Sequence, residues 1–246
     1  MPDWRKQLHA DPLPWLMESD DPALRYRALT DIEDRPAGDA GVQAARAAIA
    51  DSPLVAAIVA AQHPEGYWAE DKSTYWPKYR ATHWQMILLA ELGLEANHTA
   101  VRRGLQRMSA AIASVGADDA IAEGDVLWCY SGNTLRFLSR FGLGATEAAR
   151  RAAERLVELA GQDPHWTCRH ADGETCLWGA VKALRGLVAM PAQARPVAAR
   201  GVIASACEHL LSHDYAAAPA GGLTENGWES DWLKFGFPSF YAHHYT

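Results

Sequence analysis

The stretches HWQMILLAELGL at residues 83–94, GNTLRFLSRFGL at 132–143 and CLWGAVKALRGL at 176–187 end alike, on Gly-Leu, and their alignment decides the fold. It puts Gly93, Gly142 and Gly186 in register. The period of about 40 to 50 residues is long enough for two helices and a loop. Glycine at the end of the first helix of each unit fits a left-handed turn that stops it. A second helix is then expected at about 97–114, 145–161 and 195–213.

The rest of the chain agrees with this unit. Asp21-Pro22 and Ser52-Pro53 are N-cap and first-turn pairs. They open helices with Leu24, Ala28 and Ile32, and with Leu54, Ile58 and Ala61, on single faces; an Ala-rich helix lies between, at 39–50. Residues 146–160 carry Ala149, Ala153, Leu156 and Ala160 on one stripe and Glu147, Arg151 and Arg155 on another, which makes a one-sided helix. Leu177, Val181, Leu184 and Val188 define a helix with few charges, Lys182 and Arg185 aside, and therefore a deeper one. Period-two alternation is nearly absent. The expectation is an all-α chain forming one domain over 1–246.

Composition narrows the partners. Of 246 residues, 49% are hydrophobic and 22% charged, as in an ordinary globular protein. A net charge of −7, with Lys and Arg scattered, disfavours binding along nucleic acid. No apolar run approaches the roughly 20 residues of a transmembrane segment. The first twenty residues lack the uninterrupted apolar stretch of a signal peptide, so the expected location is cytoplasmic. There is no G-x-G-x-x-G after a strand, no G-K-S/T loop and no G-x-S-x-G elbow. Ten Trp against five Phe favours broad π surfaces, in packing or around a ligand.

The loops between units end in an indole. QHPEGYW at 62–68 spaces Gln62, Gly66 and Trp68 as Q-x-x-x-G-x-W; GQDPHW at 161–166 keeps the Gln and Trp; GGLTENGW at 221–228 keeps the Gly and Trp. This pattern resembles the repeat of squalene and terpenoid cyclases and of protein prenyltransferase β-subunits. It looks most like the short bacterial prenyltransferase or squalene-oxidase repeat proteins, over about residues 20–240. The resemblance implies an α/α toroid of inner and outer helices, here an incomplete ring if the chain ends within a unit, completed by a second copy or another partner. It also implies an apolar, isoprenoid-like ligand in a Trp-lined cavity. His83, Trp84, Trp128, Tyr130 and Trp178 are the candidates to line it, while Trp68 and Trp166 read better as locks between hairpins.

Two groups of residues carry candidate chemistry. Cys129, Cys168, His170 and Cys176 are residue types that hold zinc, and the repeat brings the start of one inner helix near the start of the next. Glu174-Thr175-Cys176 resembles the D-x-C ligand pair of prenyltransferases, and Trp128-Cys129-Tyr130 loosely resembles a ligand segment of lanthionine cyclases. Small buried cysteines at helix contacts are the plainer reading. Asp118, Asp119, Glu123 and Asp125 crowd one loop, where mutual repulsion would raise a carboxyl's pKa enough to protonate an alkene or epoxide. The D-x-D-D of the cyclases is not matched there, and Asp125 also suits a helix cap. Three readings follow: a cyclase- or prenyltransferase-like protein, a zinc enzyme activating a thiol or water, and a non-catalytic repeat scaffold.

Overall fold

A computed structural model describes residues 6, 8–113, 127–167 and 175–212. Ten α-helices are described: α1 (Leu13–Met17), α2 (Pro22–Arg27), α3 (Ala40–Ala48), α4 (Pro53–Ala60), α5 (Thr82–Leu92), α6 (Thr99–Ala113), α7 (Leu127–Arg140), α8 (Glu147–Gln162), α9 (Leu177–Ala189) and α10 (Ala199–Leu211). The sole β-type pairing among the described residues is an isolated bridge between Thr167 and Thr175. The chain is all-α, and no single described helix is long and apolar enough to cross a membrane.

The helix starts follow the sequence signals. Asp21, Asp39, Ser52 and Thr146 each accept a backbone N–H of the first turn of α2, α3, α4 and α8. Gly93 and Gly142 take φ of 92° and 79°, ending α5 and α7 as the Gly-Leu register implies. From Gly93 the turn leads straight under Tyr26: a Cβ there would lie 2.6 Å from the Tyr26 ring.

Each helix pair packs on the next. α5 lies against α7 and α7 against α9 in one layer; α6 lies against α8 and α8 against α10 in the second. The layers are joined within the pairs α5–α6, α7–α8 and α9–α10. One continuous apolar core runs from Ala23 and Ile49 through Leu135 and Leu156 to Ala206. α8 buries the stripe Ala149, Ala153, Leu156 and Ala160, as its periodicity requires.

Four details depart from the sequence reading. α2 passes into a π-helical turn at Ala28–Ile32, whose extra residue rotates the face, so that Ala28 and Leu29 are buried in place of a Leu24–Ala28–Ile32 stripe. α4 buries Val55 and Ile58, while Leu54 is exposed. Gly186 ends nothing: it lies inside α9, which stops at Met190-Pro191. α9 is also turned relative to its expected face, with Lys182 2% exposed and Val188 49% exposed.

Candidate functional site

The turn of α9 has a steric cause. A Cβ on Gly132 of α7 would fall 2.2 Å from the Lys182 carbonyl oxygen, and one on Gly186 would fall 2.4 Å from that of Gly132. Nearer the helix starts, a Cβ on Gly179 would stand 3.0 Å from Trp128 Cβ. The two backbones therefore meet along Gly179, Lys182, Ala183 and Gly186, and whatever side chain shares that stripe is carried into the seam. Lys182 is that side chain.

Two cysteines converge on it. Cys176 is the N-cap of α9, and its Sγ accepts from the Gly179 N–H at 3.3 Å. Cys129, half-buried near the start of α7, is held by a hydrogen bond with Cys176 and lies within reach of the Lys182 charge. The Cys176 hydrogen bond, and behind it the Lys182 and Lys78 charges, overcome burial and bring the Cys129 thiol down to about 6. Burial lowers the Lys182 ammonium as well, below the ordinary lysine value, while Cys129 and Cys176 hold it up. The result is a thiol and an ammonium that both give up a proton more readily than they do in water.

The loop before Cys176 is anchored from behind. The Asp163 carboxylate accepts from the N–H groups of His165 and Thr167 and from the Thr167 hydroxyl. Trp166, at φ 55°, is buried against Trp128 with ring centroids 4.6 Å apart. The Trp166 carbonyl takes the Cys176 N–H at 2.9 Å, and the Trp128 indole donates to the Thr167 carbonyl at 3.1 Å. Two indoles thus set the spacing between the start of α7 and the residue that caps α9.

Next to this seam is an aromatic nest on α5. His83 is fully buried, stacked on Tyr130 at 4.3 Å and flanked by Tyr75, Trp84 and Phe137 within 5.9 Å. Neither of its ring nitrogens has a partner among the described residues. Burial, helped by the Lys182 charge, lowers its pKa to about 3, so the imidazole is neutral. Burial raises the Tyr130 phenol to about 12, against a hydrogen bond with Thr74 at 3.2 Å.

Of the expected cavity-lining residues, Trp84, Trp128, Tyr130, Trp178 and His83 are all buried, and the ring contacts show His83, Trp84 and Tyr130 packed into that nest. None of the five borders the open cleft of about 780 Å³ that lies at the other end of α7 and α9. The Q-x-x-x-G-x-W loop is a lock: the Gln62 amide donates to the Gly66 and Ala100 carbonyls, and the Trp68 indole to the Ile58 carbonyl. Gly66, at φ 90°, runs so close to α6 that a Cβ would sit 2.5 Å from the Arg103 oxygen.

The four zinc candidates divide. Cys129 and Cys176 come together, whereas Cys168 and His170 lie outside the described residues, as do the acids Asp118, Asp119, Glu123 and Asp125. Among the described residues no three His, Cys, Asp or Glu side chains gather as a metal would need. Lys182 is the residue the sequence reading missed. Its signal was the small-residue stripe Gly179, Ala183 and Gly186, on which position 182 also falls.

Compared with known proteins, the chain matches no family model, no curated protein and no solved structure.

Proposed function

We propose that the protein performs covalent chemistry with Cys129 as the nucleophile. One observation carries the reading: the Cys176 thiol and the Lys182 charge both act on Cys129 in favour of its thiolate, in a seam where glycines bring the two helices together. Cys129 gives up its proton to solvent and stands as a thiolate beside the Lys182 ammonium. The thiolate sulfur attacks an electrophilic carbon, the bond from that carbon to its leaving group breaks, and the ammonium gives a proton to the departing atom. Cys176 holds the sulfur lone pairs in place, and the α9 N-terminus adds a favourable dipole.

A zinc site remains the second reading, favoured by the contact between Cys129 and Cys176, with Cys168 and His170 as the further ligands. Against it stands Lys182: its ammonium, acting on Cys129, supplies the positive charge that a metal would bring, and a dication beside it would be repelled. An isoprenoid-like ligand among His83, Trp84 and Tyr130 would have to displace rings that fill that space with one another. The two layers, α5–α7–α9 and α6–α8–α10, support the larger reading of the chain as part of an α/α toroid.

Elemental analysis of the purified protein and of a Cys129→Ser, Cys176→Ser variant separates the first two readings. The nucleophile reading expects a metal-free protein that one equivalent of a thiol-directed electrophile modifies at Cys129 below pH 7. One equivalent of zinc, lost in the variant, would overturn it in favour of the metal.

A further inference from the structure

We infer that the cleft at the C-terminal ends of α7 and α9 is a binding site for a small monocarboxylic acid with an apolar body. It lies roughly 16 Å along α7 from Cys129, at 1.5 Å rise per residue, and is a different site from the thiol seam. Its volume of about 780 Å³ is that of a small-molecule pocket. Four guanidiniums line it: Arg27, Arg136, Arg140 and Arg185.

Two of the four are committed to the fold. Arg27 donates to the carbonyls of Ala90 and Glu91, closing the C-terminus of α5 at 2.7–2.9 Å. Arg136 is held by the Glu91 carboxylate through two parallel hydrogen bonds. The other two keep their donors out of hydrogen bonds among the described residues, Arg140 pairing only loosely by charge. Arg140 comes no nearer than 3.9 Å to Asp31 and 4.0 Å to Glu91, and neither it nor Arg185 donates a hydrogen bond among the described residues.

Four positive charges against Glu91 and Asp31 leave the cleft cationic in a chain whose net charge is −7. A planar carboxylate matches the unused guanidinium donors. The nearby Glu91 and Asp31 carboxylates disfavour a doubly charged phosphate. Most of the remaining lining is apolar, with Leu184, Val188, Ala189, Ile203 and the Tyr26 ring, beside Ser139 and Cys207. Val188 is half exposed near the end of α9, which suits contact with a hydrocarbon body.

Calorimetric titration of the full chain with octanoate, octanol, octyl phosphate and inorganic phosphate tests the site. Octanoate should bind saturably at one equivalent, and octanol and inorganic phosphate at least about tenfold more weakly. Arg140→Gln and Arg185→Gln should each weaken octanoate about tenfold; Arg185→Gln should leave thermal unfolding unchanged, and Arg140→Gln should still fold, with a modest loss from its charge contact with Glu91. Cys129→Ala should leave octanoate binding as it is, which separates this site from the nucleophile reading. Octanol binding as tightly as octanoate would overturn the inference, as would wild-type affinity in both arginine variants. Tighter binding of octyl phosphate would replace the carboxylate with a phosphate ligand, and tighter binding of inorganic phosphate alone would mean an adventitious ion only.

Discussion

Gly132 and Gly186 meet backbone to backbone across α7 and α9, the oxygen of the first lying where a Cβ of the second would stand. This contact sets the distance at which Lys182 reaches Cys129, so fold and candidate chemistry depend on the same two hydrogen atoms. Within a helix, Gly→Ala ordinarily stabilises by up to about 1 kcal/mol. Here the added methyl meets main chain, which cannot rotate away. Gly132→Ala and Gly186→Ala should each destabilise by about 2–4 kcal/mol in chemical denaturation. Gly201→Ala in α10, where a Cβ meets nothing within 4 Å, should stabilise by up to about 1 kcal/mol. Neutral Gly132 and Gly186 variants would show that the seam is looser than described.

Cys129 should alkylate with a pH midpoint near its lowered value of about 6. The Cys176 hydrogen bond is the largest cause of the lowering, ahead of the Lys182 charge, so the order of variants follows. Cys176→Ala should move the midpoint further toward the ordinary thiol value of about 8.5 than Lys182→Met does. Iodoacetamide labelling followed by mass spectrometry gives the midpoints. A wild-type midpoint above 8 would remove the basis for a nucleophile at this position.

The fold was more legible than the site, and the reason is local. Caps at Asp21, Asp39, Ser52 and Thr146, and left-handed glycines at 93 and 142, act through neighbours a few residues away, so spacing alone locates them. Gly186 looked like another terminator because its Gly-Leu context is the same, but its role comes from Gly132, distant in sequence. The same contact reversed the reading of α9: periodicity favours burying Val188 over Lys182, and backbone proximity overrules it. Of the site, the Cys129–Cys176 pairing was visible in the repeat; its partner Lys182 was not, because a charged residue on an apolar helix reads as the solvent-facing exception.

His83 makes stability depend on pH. Its folded pKa is about 3, against about 6.5 when unfolded, so below pH 6.5 the unfolded chain takes up a proton that the folded protein refuses. Stability from this group is intact above pH 6.5 and declines as pH falls from there toward 3. By pH 5 the loss should be about 2 kcal/mol. Urea unfolding at pH 8 and pH 5 measures it, and His83→Phe, which has no proton to bind, should lack that share of the decline. An equal decline in the variant would assign the pH dependence to other groups.

Glu91 gives the same sign in a lower pH window. Burial pushes its carboxyl up, but the Arg136 hydrogen bond and the charges of Arg136, Arg140 and Arg27 outweigh it, and the net shift is downward. Its stabilisation is therefore present above the unfolded value of about 4.3 and is lost as pH falls through the lower folded value. Glu91→Gln leaves Arg136, 13% exposed, beside a neutral amide. That variant should be about 3 kcal/mol less stable at pH 7, because an uncompensated buried guanidinium is the main penalty. Removing both charges, as Glu91→Leu with Arg136→Met, should recover most of the loss. The same arginine thus distinguishes a structural pair from a ligand site: the double variant should fold and keep its octanoate affinity within about twofold, well short of the tenfold loss expected at Arg140 or Arg185.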